Sequence, residues 1–371
     1  MNFGFTDEQE ELRRMVRRFL EEKSPETEVR RLMSTDEGYD PQVWRQMADE
    51  LALQGLGIPE AYGGQGFGPV ELYVVFEEMG AALYCGPYFS TVALAAPAVA
   101  LVGTEDDHSR WLPGIADGST IATLALTDDM GSWDLAATST TAQRAGDGWT
   151  VSGVRNYVTD GTVANLILVP AMTPAGLSLF AVRGDAPGLS RESLPTMDQT
   201  RKQARLVLER VPAELVGVDG AATPGLETTI QTAAAMLAAE QVGGSQRVLD
   251  NAVAYAKTRV QFGRPIGSFQ AIKHKCADML LDVESAKSAA YYAAWAAQER
   301  NDELPVAASL AKSFCSEAYF HCAAENIQIH GGIGFTWEHH AHLYFKRAKS
   351  SELLLGDPAY HRELIAQRLG I

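Results

Sequence analysis

Long apolar runs are missing from this chain. No stretch approaches the roughly 18 to 20 unbroken apolar residues that a membrane-crossing helix needs. The most apolar one, Thr91 to Gly103, is too short and is interrupted by Pro97. Cysteine is scarce: Cys85, Cys276, Cys315 and Cys322 are the whole complement, with no CxxC pair. That argues against a disulfide framework or a thiolate metal site, and for small buried hydrophobes in a reducing compartment. Positive charge is in deficit, with 31 Lys and Arg against 47 Asp and Glu, a net of −16 over 371 residues. A field of that sign repels nucleic acid and acidic membrane surfaces, yet leaves room for a local basic pocket around a phosphorylated ligand. The opening Met1-Asn2-Phe3-Gly4-Phe5 turns acidic at once and reads as neither a signal nor a transit peptide. The expected compartment is the cytoplasm, with neither membrane nor nucleic acid as a partner.

What is present falls into three textures, long enough for several packed units. Residues 1–118 read as helical: Thr6-Asp7-Glu8-Gln9 has the capping-box pattern, and Leu12, Val16, Phe19 and Leu20 follow at helical spacing. Residues 119–222 carry short β-rich runs, Ile121–Leu126, Trp149–Val154, Leu166–Val169, Leu177–Val182 and Arg205–Leu208, separated by turns such as Gly146-Asp147-Gly148. They predict a small barrel or sandwich. Residues 223–371 return to helix, with long segments over Thr232–Lys257, Phe269–Arg300 and Pro305–His330 that suggest an antiparallel bundle. The fold class expected is α+β.

Three clusters carry chemistry. In Arg259-Val260-Gln261-Phe262-Gly263-Arg264-Pro265, past a helix end, Arg259 offers a fork of donors suited to a pyrophosphate and Phe262 a ring able to pack on an aromatic system. Read structurally, they are a surface Arg and a core Phe. In Gln328-Ile329-His330-Gly331-Gly332-Ile333-Gly334, the glycines allow a close backbone approach or a plain helix cap. In the β region, Thr127-Asp128-Asp129-Met130-Gly131-Ser132 precedes Val154-Arg155-Asn156-Tyr157-Val158-Thr159-Asp160-Gly161. Period-two spacing puts Tyr157 and Thr159 on one side of a strand, where they would cover a flat ring and bond its edge, or simply lead into a hairpin turn.

In order and spacing, across essentially the whole chain, these clusters resemble the acyl-CoA dehydrogenase family. Phe5-Thr6-Asp7-Glu8-Gln9, Ile58-Pro59-Glu60-Ala61-Tyr62-Gly63-Gly64, Gly146-Asp147-Gly148-Trp149, Arg259 to Gln270 and Gln328 to Phe335 match it in sequence. The resemblance implies an N-terminal α-helical domain, a middle β-barrel and a C-terminal four-helix bundle, with FAD as cofactor. It implies that Leu124, Leu126 and Thr127 line the flavin, that Gly131 and Ser132 lie near its phosphates or the substrate mouth, and that Tyr157 stands where the family usually has Trp. Thr159 would meet the flavin edge. Arg259, Gln261 and Phe262 would reach a neighbouring subunit's FAD, with Gln328, Gly331 and Gly332 on the adenine side. Shared sites imply an oligomer, a homotetramer or an α2β2 heterotetramer with a paralogous subunit. The substrate implied is an acyl-CoA thioester and the acceptor an electron-transfer flavoprotein.

The family removes the α-proton of the thioester while hydride leaves the β-carbon for the flavin, which requires a placed base. At the family's usual glutamate position this chain has Leu355, in Leu355-Gly356-Asp357-Pro358. At a second family position, on the first helix of the bundle, it has Ala233, followed by Ala234 where many members bind substrate with Arg. Three readings follow: a base-lacking subunit whose paralogous partner supplies Glu, as in heteromers of bacterial steroid side-chain degradation; a displaced carboxylate, Asp357 or Glu240; or FAD and acyl-CoA binding with different chemistry. Structurally, Asp357 reads as a turn residue before Pro358, and Glu240 as a salt-bridged or capping carboxylate. Ala233, Ala234 and Leu355 stand where the family has larger or charged residues, which implies room for a bulky, polycyclic or branched acyl group. His339, His340 and His342 lack the spacing of a helical metal pair, so no metal site is expected and the segment reads as a solvated or interfacial loop.

Overall fold

The computed structural model describes residues 4–371; Met1 to Phe3, where the sequence opens, lie outside the described residues. The helices are α1 (Asp7–Lys23), α2 (Glu26–Met33), α3 (Pro41–Asp49), α4 (Pro69–Ala81), α5 (Ala96–Val102), α6 (Glu105–Ala116), α7 (Thr223–Thr258), α8 (Gln270–Gln298), α9 (Leu304–His330), α10 (Ala341–Leu353) and α11 (Pro358–Leu369). The strands are β1 (Ala122–Leu124), β2 (Thr141–Ala145), β3 (Gly148–Thr159), β4 (Leu166–Thr173), β5 (Gly176–Arg183), β6 (Leu189–Ser193), β7 (Gln203–Val216) and the short pair β8 (Val260–Gln261) and β9 (Arg264–Pro265). Among the described residues no helix is long and apolar enough to cross a membrane.

The chain forms two compact units. The first comprises the segment up to Arg30, Pro69–Tyr84 and Ala234–Ile371; the second comprises Arg31–Gly68 and Cys85–Ala233.

In the first unit, α1 begins at a complete capping box: Thr6 accepts from the Gln9 amide, and the Gln9 side chain accepts from the Thr6 amide. Helix α9 is the centre, packed on α8, α10 and α11, while α4 lies against α1 and α8. Alanines of α8 and α9 and the buried Cys315 and Cys322 fill the interior. Helices α4 and α7 meet backbone to backbone. A Cβ at Gly80 would lie 1.9 Å from the Glu240 carbonyl oxygen, and one at Gly243 1.7 Å from that of Glu77. Neither position tolerates a side chain without separating the helices.

In the second unit, β4, β2, β3, β7 and β5 pair in a ring that closes where β5 returns to β4, and β1 and β6 pair onto its flanks. The result is a barrel in which Val151, Ile167, Leu168, Phe180, Leu206 and Val211 are each almost fully buried, the consecutive Ile167 and Leu168 on opposite faces of β4. Strands β2 and β6 have no counterpart in the apolar runs because their residues are largely exposed and polar. The apolar stretch around Pro97 begins as a π-helix over Phe89–Ala95, all seven residues buried, and continues as α5 with Pro97 in its first turn. Because α5 runs on from the π-helix, Pro97 removes one backbone donor from a continuous helical run.

Candidate functional site

In the second unit the β-region cluster converges on one loop. The Asp128 carboxylate accepts from the amides of Met130 and Ser132, both at 3.0 Å, and Gly131 takes φ +78°. That folds residues 128–132 back toward β3. The Thr127 hydroxyl donates to the Asn156 carbonyl, and the Asn156 amide returns a bond to the Thr127 carbonyl at 3.2 Å. A Cβ on Gly131 would sit 3.3 Å from the Tyr157 ring, so these two pack directly. Thus Thr127, Gly131, Ser132 and Tyr157 are brought together, with Leu124 and Leu126 buried behind them.

The period-two expectation for Tyr157 and Thr159 fails. A β-bulge lies between Arg155 and Val158, and Tyr157 has φ +53°. The extra residue breaks alternation, leaving Tyr157 half-exposed and Thr159 buried. Under this bulge lies a cation that the sequence reading did not single out. Arg155 is 1% exposed and donates to the carbonyls of Leu126 (2.9 Å) and Pro170 and to the Thr138 hydroxyl (2.6 Å). Burial pulls its pKa down to about 10, while Asp128 acts in the opposite sense. One guanidinium therefore ties β3, β4 and the 126–138 loop together.

In the first unit, Phe262 and Gly263 take φ +54° and +76°, forming the two-residue turn of the β8–β9 hairpin. Phe262 is 91% exposed, against the reading of a core residue. Arg259 and Gln261 are exposed, and among the described residues Arg259 has no carboxylate within ion-pair distance. Helix α9 ends at Gly331 (φ +65°), and a Cβ at Gly331 or Gly332 would meet nothing within 4 Å. Gln328 is exposed beside them. An unpaired guanidinium, an uncovered aromatic ring and a bare glycine backbone suit a dinucleotide: donors for phosphate and open backbone for close approach.

The histidines are more ordered than a solvated loop. Tyr255, His330, His339 and His340 stack in series, with ring centroids 4.2, 4.4 and 4.5 Å apart. The Asn251 amide and the Glu26 carboxylate lie 2.9 and 3.3 Å from the two His340 nitrogens. Burial lowers the pKa values of all three histidines, His339 to about 4; neighbouring histidines add to this at His330 and His339, while Glu26 opposes it at His340.

Both carboxylates considered as bases have structural partners. Glu240 is 5% exposed, and its Oε1 accepts from Arg347 Nη1 at 2.9 Å. Arg347 also donates to the Tyr84 carbonyl at 3.2 Å. Asp357 is the N-cap of α11, accepting from the Tyr360 amide at 2.8 Å, and is exposed. Leu355 is 1% exposed and has φ +62°. Its turn is clamped by the side chains of Lys312 and His361. Lys312 Nζ donates to Glu352 O, Gly356 O and Ser316 Oγ, each at 3.0 Å, and His361 Nε2 lies 3.0 Å from Leu355 O. Burial draws Lys312 down to about 7 and His361 to about 3. Three acceptors on one nitrogen call for three N–H bonds, which only the ammonium has.

The fold is a set of helices, a β-barrel with an exposed aromatic loop and a helical bundle. The chain matches the acyl-CoA dehydrogenase N-terminal domain over residues 6–119, the middle domain over 123–211 and the C-terminal domain over 225–370. It is 35% identical over 352 residues to acyl-CoA dehydrogenase IpdE2 of Mycobacterium tuberculosis (strain ATCC 25618 / H37Rv), covering 95% of this chain and 94% of that one. Two solved structures are similar throughout. One is a variant of the Tcur3481-Tcur3483 steroid ACAD, with TM-score 0.90, 33% identity and 98% of each chain covered. The other is the ChsE4-ChsE5 complex from Mycobacterium tuberculosis, with TM-score 0.91, 30% identity and 100% and 99% covered. This protein belongs to the acyl-CoA dehydrogenase family, FAD-dependent oxidoreductases acting on the CH–CH bond of acyl-CoA thioesters.

Proposed function

We infer that this chain is the base-lacking subunit of a cytoplasmic heteromeric acyl-CoA dehydrogenase, completing an FAD site shared with a paralogous subunit that carries the glutamate. The observation that carries this reading is the state of its acids. Leu355 and Ala233 stand at the two family base positions, while Glu240 is bound to Arg347 and Asp357 caps α11. Each carboxylate already serves a structural partner, which supports a base supplied by another subunit.

The residues expected to hold FAD are Leu124, Leu126, Thr127, Gly131, Ser132, Tyr157 and Thr159 on the barrel side. On the bundle side they are Arg259, Gln261, Phe262, Gln328, Gly331 and Gly332. When bound, FAD supplies the hydride acceptor for the β-carbon. Arg259 contributes charge toward pyrophosphate, and the bare backbone at Gly331–Gly332 admits the nucleotide. Electrons would pass to an electron-transfer flavoprotein. Likeness to the Tcur3481-Tcur3483 steroid ACAD and the small side chains at Ala233 and Ala234 support a bulky, polycyclic acyl group.

The test is expression alone and with the paralogue. The chain alone should give no acyl-CoA oxidation. Co-expression should give a yellow α2β2 assembly whose activity disappears when the partner's glutamate is changed. Full activity of this chain alone, lost on Asp357→Asn or Glu240→Gln, would overturn the reading in favour of a displaced base.

A further inference from the structure

The second unit contains two stretches of rare backbone conformation joined by one buried side-chain contact. A π-helix is seldom extended, and such segments collect at functional sites. Here it spans Phe89–Ala95 and is wholly buried. Its first polar residues face inward. Ser90 Oγ lies 2.7 Å from Asp160 Oδ2 and 3.1 Å from Pro87 O, and its single proton goes to the nearer carboxylate. Thr91 Oγ1 donates to Ala122 O at 3.0 Å and accepts from the Ala122 amide at 3.1 Å. One helical turn thus grips the start of β1 and the residue just after β3.

The gripped segment is itself strained. Tyr157 and Asp160 take φ +53° and +55°, and neither is glycine. Left-handed backbone at such residues persists only where the surroundings enforce it, and it marks places where shape matters to function. Thr159 lies between them, its carbonyl accepting from Thr123 Oγ1 at 2.7 Å. Asp160 anchors the following turn, where its carbonyl accepts the amides of Val163 and Ala164. Its side chain is 5% exposed.

We propose that Ser90 is a positioning residue for the exposed Tyr157 and the backbone at Thr159, holding the end of β3 through Asp160 in the shape on which the FAD site depends. This rests on the reading that these two residues belong to the flavin site. Ser90 is fully buried and touches no exposed surface, so its effect on a cofactor runs through Asp160. A buried hydrogen bond to a carboxylate is among the stronger ones.

The experiment uses the purified heteromer with Ser90→Ala and Ser90→Thr, the latter restoring the hydroxyl. Two quantities are measured: amide hydrogen exchange over residues 160–164 and the dissociation constant of FAD from the assembly. Ser90→Ala should speed exchange there and weaken FAD about tenfold, the equivalent of one such bond. Ser90→Thr should restore both. Faster exchange with unchanged FAD affinity would make the bond merely structural and overturn the proposal, as would no change in either. Wild-type assembly free of flavin would overturn the underlying reading as well, so the two failures are distinguishable.

Discussion

Arg347 holds Glu240 in an almost dry ion pair, Nη1 to Oε1 at 2.9 Å, with side-chain exposures of 3% and 6%. The same guanidinium reaches the Tyr84 carbonyl. Helix α10 is thereby fastened to α7 and to the end of the segment that follows α4. Gly80 against the Glu240 carbonyl completes the junction from the other side. An acid so engaged is part of the scaffold.

Removing one partner of this pair should be worse than removing both. Arg347→Met leaves Glu240 charged in a dry site, and stability should fall by about 3–5 kcal/mol. Glu240→Met with Arg347→Met should recover much of that loss, because no lone charge remains. Urea unfolding of the three proteins measures it. A single variant as stable as wild type would show the pair to be solvated.

Asp357 tests the other acid. Its carboxylate caps α11 through the Tyr360 amide. Asp357→Asn keeps a capping oxygen and should be nearly silent, whereas Asp357→Ala should cost about 1 kcal/mol. Activity of the heteromer should track neither change. Loss of turnover in Asp357→Asn at unchanged thermal stability would instead make this residue the base.

How much of this was legible depends on whether the signal is local. The capping box at Thr6 and Gln9 is written in neighbouring residues, and the order of the motifs points to the family, whereas the β8–β9 hairpin depends on a positive φ at Phe262 that its residue type does not announce. The bulge at Tyr157 was not legible, because alternation is assumed until a register shift interrupts it. Strand β2, over Thr141–Ala145, escaped notice because only Ala142 is buried. The π-helix is hidden inside a run that is apolar in any helical register. Arg155, Lys312 and Arg347 are single charges in unremarkable surroundings, and burial of one charge leaves no periodicity to read.

Acid should loosen the histidine regions of the first unit before it affects the rest. His339 and His361 have folded pKa values of about 4 and about 3, against an ordinary value of 6.5. A lowered histidine pKa means that the unfolded chain binds a proton that the folded chain refuses. Stability is therefore complete above pH 6.5 and is lost progressively as pH falls from there toward 4 and 3. His361→Gln should flatten part of that slope while keeping a donor for the Leu355 carbonyl. Urea midpoints between pH 7.5 and 4.5, in wild type and variant, measure the difference; identical slopes would count against a neutral buried His361.

Arg259 separates a cofactor role from a structural one. It lies between the end of α7 and the β8–β9 hairpin, exposed and without a carboxylate within ion-pair distance among the described residues. Its backbone holds the hairpin, with Arg259 N donating to Tyr255 O and Arg259 O accepting from Ile266 N, both at 2.8 Å. Arg259→Ala keeps both backbone bonds, so the thermal midpoint of the flavin-free protein should be unchanged. If the guanidinium meets a pyrophosphate, FAD should dissociate about ten- to a hundredfold more readily, the range for losing a charge-assisted pair. Arg259→Lys should recover only part of this, since an ammonium keeps the charge without the fork. Gel filtration at low concentration, with flavin absorbance read against protein, measures retention directly. Equal flavin occupancy in all three proteins would remove Arg259 from the cofactor site and leave it a solvated surface residue.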